Sequence, residues 1–240
     1  MGYGELKERV WKANMDLNQA GLVVFTWGNV SGADRSQAVF AIKPSGVSYE
    51  SLKPDDIVVL DIETGAVIEG AMNPSSDTPT HLVLYREFGD IGGIVHTHSI
   101  HATSWAQACR EIPCLGTTHA DYFSGPVPLT RILSPKEIED AYEENTGLVI
   151  VEHFRGHSLH PLRAPGVLLP HHGPFAMGKT PEKAFENAVV LEQLARMASE
   201  TMAINSKARP APRSLIDKHY NRKHGPDAYY GQNDDPAEDD

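Results

Sequence analysis

Two cysteines in 240 residues, Cys109 and Cys114, are too few for a disulfide-built scaffold and make a poor zinc site on their own. They fit a compartment that keeps thiols reduced. No stretch approaches the run of apolar residues a membrane-spanning helix needs. The opening segment, MGYGELKERVWKAN, carries charges where a secretory leader has its apolar centre, so a cytoplasmic location is expected. Basic residues are also short, 21 Lys and Arg against 32 Asp and Glu, for a net charge of −11. Five of the acids lie in the base-free segment Asn233–Asp240, which leaves about −6 for the rest. A body of that sign lacks the basic face that a phosphate backbone requires, so nucleic acid is not an expected partner, and neither is a membrane. The acidic end itself reads as a disordered, solubilising tail.

What remains is a chain 40% hydrophobic, long enough to bury a large core. Leu6, Val10, Ala13 and Leu17 recur at helical spacing, and Gly21 ends the pattern. LVVFT reads as a strand followed by a glycine-bearing loop, WGNVSG, and AVFAI as the next strand. DIVVLDIETGAVIEG reads as a hairpin, THLVLYREFG as a short helix, GGIVHTH as a strand and Ala102–Ala108 as a helix. SPKEIEDAYEENTG has a Ser cap, a Pro at the first helical position and a Gly stop. LVIVEHF and GVLLPHHG read as strands, and TPEKAFENAVVLEQLARMASETMAI as a long Thr-capped helix. From Arg209 the chain becomes polar and basic. The alternation predicts a single α/β domain with a central mixed β-sheet flanked by helices.

Three histidines crowd the segment after GGIV: His96, His98 and His101. In a strand, residues i and i+2 share a face, so His96 and His98 point the same way and can chelate one divalent ion. The bland reading is a pair satisfied by hydrogen bonds at a strand end. Further ligands must come from other strand ends, and GVLLPHHG supplies His171 and His172. Adjacent residues face opposite sides, so only one of these two can join. Three neutral imidazoles with a fourth position open describe a catalytic rather than a structural zinc.

Three loops mix small residues with hydroxyls: Gly28–Gly32, Lys43–Gly46 and Pro74–His81. The last stands just before a helix, where free N–H groups favour anions, although Asp77 also reads as an ordinary N-cap. Together, with Lys43 as the point charge, they suit one phosphate.

TWGNVS, IKPSGV, PSSDTPTH, GGIVHTHS, GTTHADYF, HGPFAMGK and DKHYNRKHGPDAYYGQ, in that order, closely resemble the epimerase branch of the class II aldolase/epimerase family. The likeness runs from about Leu6 to Gln232. It implies a class II aldolase-like domain over residues 1–232, followed by the tail at 233–240. It implies interconversion of L-ribulose 5-phosphate and D-xylulose 5-phosphate by retro-aldol cleavage and re-addition. A sugar-phosphate aldolase or a non-catalytic metal-binding homologue of the same fold is the alternative. Zn2+, one per subunit, is the implied cofactor, a small phosphorylated ketopentose the substrate, and a homotetramer with sites at subunit interfaces the assembly.

Residue by residue, the resemblance makes His96, His98 and His172 the zinc ligands, with Asp77 beside the metal. Asn29, Lys43, Ser45, Gly46, Ser75 and Ser76 match the phosphate site. Asp121 and Tyr230 match the proton-transfer pair, and His219 a histidine that reaches the site from a neighbouring subunit. Where the fuculose-phosphate-type aldolases carry a catalytic glutamate, this chain has the shorter Asp77.

Overall fold

A computed structural model describes residues 2–230. The acidic tail therefore lies outside the described residues. Helix α1 (Gly4–Gln19) buries the Leu6, Val10, Ala13 and Leu17 stripe, and Gly21 follows it at φ +69°. Asn14, fully buried on the same helix, donates from Nδ2 to Val10 O (2.8 Å) and Val30 O (3.0 Å) and accepts from Val30 N at 2.9 Å. A buried amide thus pins the helix to strand β1 with its polar atoms satisfied.

Strand β1 is Asn29–Asp34, the segment expected to be a loop, while LVVFT is no strand. The reason is burial. Val24 and Phe25 are exposed, and Phe25 sits at φ +55°, whereas Asn29 to Gly32 are buried on both faces. On one face Gly32 meets α1 and the start of the helix Pro181–Ile204, where an added methyl would lie 2.5 Å from Pro181 Cγ and 2.8 Å from Val10 Cγ2. On the other, Ser31 Oγ lies 2.7 Å from His81 Nδ1 and 2.8 Å from the Tyr85 hydroxyl. A strand that must be thin on one side and polar on the other carries no hydrophobic alternation to read.

Strands β2 (Val39–Ile42), β3 (Val58–Asp61), β4 (Val67–Glu69), β5 (Gly93–His96), β6 (Gly166–Leu168) and β7 (Pro174–Gly178) complete a seven-stranded sheet in the order β4-β3-β2-β1-β5-β7-β6. Every pairing of these strands is antiparallel, so the sheet is not mixed as expected. The alternation of period two divides the core. Val30, Val95 and Ala176 pack with Ala13, Leu17, Ala184 and Ala188 of α1 and α6 (Pro181–Ile204). Ile94, Phe175 and Met177 face the larger cluster with Leu84 of α2 (Thr78–Glu87) and Ile150 and Phe154 of α5 (Pro135–Gly156). Helix α3 (Ile100–Gln107) follows β5 closely, and Glu192 of α6 caps it, accepting from His101 N and Ala102 N at 2.9 Å each.

Helix α5 starts as read, with Ser134 and Glu137 in a capping box. It does not stop at Gly147. LVIVEHF, expected as a strand, is its continuation. Gly147 serves close packing, since a methyl there would lie 2.8 Å from Val83 Cβ of α2. Two helices were not anticipated, the short α4 (Thr117–Ala120) and α7 (Arg213–His224) in the basic segment. Among the described residues no helix is long and apolar enough to cross a membrane.

Candidate active site

Strand β5 lies inside the sheet, beside its middle strand β1. His96 is its last residue, paired with Asn29 of β1 on one side and Phe175 of β7 on the other. His98 lies just past the strand, and His172 lies in the turn between β6 and β7. Their ligand-capable atoms all fall within 4.8 Å of one another. His96 Nε2 and His98 Nε2 are 3.1 Å apart, and the His96 and His172 ring centroids 4.7 Å.

His171 and His172 do point apart. His171, at φ +60°, is exposed with Nε2 3.3 Å from Cys109 Sγ, and His172 turns toward the other two imidazoles. The structure thus chooses between them.

This donor set suits a divalent metal ion. His96 is 1% exposed and donates from Nδ1 to Pro174 O at 3.0 Å, which leaves the Nε2 lone pair facing the cluster. Its ring stacks on Phe175 at 4.3 Å. Burial, with the neighbouring imidazole of His98, pushes His96 down to about 3. Burial and the other two rings push His172 down to about 3, and burial lowers His98 as well. All three are therefore neutral at pH 7, the form that donates to a metal.

Asp77 precedes α2, but its side chain makes no cap bond. Its Oδ2 instead accepts from Asn29 Nδ2 at 2.6 Å, and its charge reaches His98 and His172. It is not one of the mutually close ligand atoms of the triad.

The three loops converge. Asn29 Nδ2 also donates to Ser75 Oγ at 3.2 Å, and Ser75 N donates to Lys43 O at 3.0 Å. They bound a cavity of about 520 Å3 lined by Thr26–Asn29, Lys43–Gly46, Ser75–Asp77 and His98. Gly28, at φ +78°, lets its loop pass under the histidine cluster, where an added methyl would sit 2.8 Å from His96 O. Lys43 is 2% exposed, its Nζ donating to Val47 O at 2.6 Å and lying 4.9 Å from the centre of the Tyr49 ring. Burial lowers Lys43 to about 8. A desolvated ammonium next to hydroxyls is a ready anion site.

Asp121, His219 and Tyr230 assemble elsewhere on the chain. Asp121 ends α4 and accepts from Arg222 of α7 through both oxygens, at 3.0 and 2.7 Å. His219 Nδ1 lies 3.2 Å from Oδ1, and His224 Nε2 2.9 Å from the Asp121 carbonyl. Burial works to raise the Asp121 carboxyl, but the hydrogen bonds from Arg222 and His219 and the charges of Arg222 and Lys223 carry it below its ordinary value. The Tyr230 ring lies under Arg222 at 4.9 Å and Lys223 at 4.3 Å. None of the three lines the cavity.

Two aromatic residues at the first cluster were not singled out from the sequence. Trp27 lies 6.3 Å from the His98 ring. The Tyr142 hydroxyl lies 3.1 Å from His172 Nδ1. Helical periodicity reads Tyr142 as one more surface position, and nothing local marks it.

Residues 8–199 match the family described as Class II Aldolase and Adducin N-terminal domain. The chain is 55% identical over 228 residues to the L-ribulose-5-phosphate 4-epimerase UlaF of Salmonella paratyphi B, covering 95% of this chain and 99% of that one. The match to the protein of the same name from Salmonella typhi has the same identity and coverage. Among solved structures, an L-fuculose 1-phosphate aldolase superposes with a TM-score of 0.76 at 26% identity, covering 92% of this chain and 97% of that one. The L-fuculose-1-phosphate aldolase of Thermus thermophilus gives 0.63 at 28% identity, covering 86% and 98%.

Proposed function

Because this chain belongs to the class II aldolase and adducin N-terminal domain family, we propose that it interconverts L-ribulose 5-phosphate and D-xylulose 5-phosphate, inverting C4 by breaking and remaking the C3–C4 bond. The observation that carries this reading is the single cavity in which Lys43, Ser45, Ser75, Ser76 and His98 meet. The hydrogen on C4 is not acidic, so direct deprotonation is a poor route. Removing the C4 hydroxyl proton instead lets the C–C bond break to the enediolate of dihydroxyacetone and glycolaldehyde phosphate. When the aldehyde presents its other face, re-addition yields the epimer.

His96, His98 and His172, with Asp77 nearby, would hold a divalent ion such as zinc, which would supply Lewis acidity for the negative charge that cleavage develops. The side chains do the rest. Lys43, the Ser45–Gly46 turn, Ser75 and Ser76 tether the phosphate so that the aldehyde turns without escaping. Asn29 holds Asp77 and Ser75 in fixed relation across the cavity. Proton transfer falls to Asp121 and Tyr230, with His219 at the Asp121 carboxylate. Since these three stand apart from the cavity of their own chain, the reading includes a homotetramer in which the α7 face of one subunit closes the cavity of the next.

The test is to incubate the zinc-loaded protein with L-ribulose 5-phosphate and assay D-xylulose 5-phosphate. The expected result is conversion that stops on chelation and returns with metal. Free glycolaldehyde phosphate accumulating at the turnover rate would favour the aldolase reading, which the fold of the L-fuculose 1-phosphate aldolases also accommodates.

A further inference from the structure

Tyr142 occupies a position that α5 is bent to provide. The helix is broken at Ala141, whose φ of −160° and ψ of 75° are not helical, one residue before the tyrosine. Two side chains bracket the break. Asn145 Nδ2 donates to Glu137 O at 2.9 Å, taking the place of a helical N–H lost at the break. Thr80 Oγ1 of α2 donates to Glu143 O at 2.6 Å and ties down the backbone immediately after the tyrosine. An interrupted helix leaves backbone groups that need new partners, and here they have them. The outcome is that the Tyr142 ring lies against the His172 ring, centroids 5.9 Å apart and planes 28° from parallel, with its hydroxyl on Nδ1.

We propose that Tyr142 is a positioning residue for the metal centre: its hydroxyl oxygen accepts the Nδ1 proton of His172 and so keeps the Nε2 lone pair turned toward His96 and His98. The proposal rests on the reading of the three histidines as metal ligands. His96 has a partner of the same kind in the Pro174 carbonyl. That backbone carbonyl comes with β7 and cannot be removed by substitution. His172 lies in a turn, where no sheet fixes its ring, so the same task passes to a side chain on another element. An imidazole's outer partner fixes which nitrogen carries the proton, and losing such a partner costs roughly 10- to 100-fold in metal affinity.

The experiment is Tyr142→Phe, which keeps the stacked ring and removes only the oxygen. Zinc affinity of the full chain is read by competition with a chromophoric chelator. The His172 tautomer is read from long-range 1H–15N spectra of the protein before metal is added. The expected results are roughly 10- to 100-fold weaker zinc binding and a shift of the His172 proton from Nδ1 toward Nε2. Zinc affinity within twofold of the parent overturns the proposal, and so does an unchanged tautomer. His98→Ala, assayed alongside, separates the two readings: if it binds zinc as the parent does, the triad is not the metal site and the proposal falls with it. If His98→Ala loses zinc while Tyr142→Phe keeps it, the metal site stands and only the role of Tyr142 is overturned.

Discussion

His96 is 1% exposed inside the sheet, whereas Tyr230 is 59% exposed beyond the end of α7. Around the first, imidazoles, hydroxyls and an amide are held by strand pairing and by carbonyls that cannot move independently. Around the second, Arg222 and Lys223 hold the Asp121 carboxylate by charge, and His219 and His224 hydrogen-bond to Asp121. The two regions divide one reaction as the proposed function distributes it. On that reading the sheet preorganises binding of metal and phosphate before the substrate arrives. The α7 face would supply proton transfer from a surface set by ion pairs, and such surfaces depend on salt and on what covers them.

The largest expected effect separates the two regions outright. Tyr230→Phe should lower turnover by roughly 10²- to 10⁴-fold, the usual size of a lost general acid or base. Zinc affinity should stay unchanged, because Tyr230 is not among the residues that would hold the metal. Near-normal turnover would remove the phenol from the reaction. An effect on zinc affinity would instead give the phenol a part in holding the metal.

Lys43→Met attacks the other side. Loss of a charged hydrogen bond to phosphate should cost about 1.5–3 kcal/mol of binding, roughly 10- to 150-fold in KM. In the parent protein Lys43, lowered to about 8 by burial, carries its charge at pH 7 and loses it above pH 8, so KM should climb through that range. The Met variant should show no such climb. Mixing denatured Lys43→Met and Tyr230→Phe chains and refolding them together sharpens the comparison. If one subunit's α7 closes the next subunit's cavity, hybrid tetramers should recover about a quarter of the parent activity, and no recovery would place both regions in the same subunit's site.

The smallest effect concerns stability. His119 lies two residues before Asp121, buried, with Nε2 donating to Gly125 O at 2.9 Å. Burial pushes it down to about 4, while an unfolded chain's histidine titrates near 6.5. The unfolded state therefore takes up a proton first. The stability contribution is whole above pH 6.5 and is lost as pH falls through 4, with about 2 kcal/mol gone by pH 5. Denaturant unfolding at pH 7 and pH 5 measures it, and His119→Gln should lessen the difference. An unchanged acid sensitivity in that variant would assign it to other buried histidines.

Much of this is legible in the sequence. The 3.6-residue stripe of α1, the Ser134 and Thr180 caps and the His-x-His pair each depend on neighbours a few residues away, and each is where the spacing puts it. The errors share a cause. β1 is buried on both faces by α1 and by His81 and Tyr85, so its small and polar residues look like a loop. Gly147 looks like a stop but serves the close approach of α2. The second half of α5 is apolar enough to pass for a strand because a neighbouring helix covers it.

From its sequence alone this protein had its class, its principal helices, its imidazole pair and the loops suited to an anion, since backbone geometry repeats over short distances and side-chain chemistry is written in the residue. Which of His171 and His172 turns inward the spacing left open and the resemblance supplied. Only the folded chain decided that Asp77 serves Asn29 instead of a helix end and that a broken helix brings Tyr142 to His172. Those outcomes depend on which segments, far apart along the chain, compete for the same space and the same hydrogen bonds, and no local pattern records that competition.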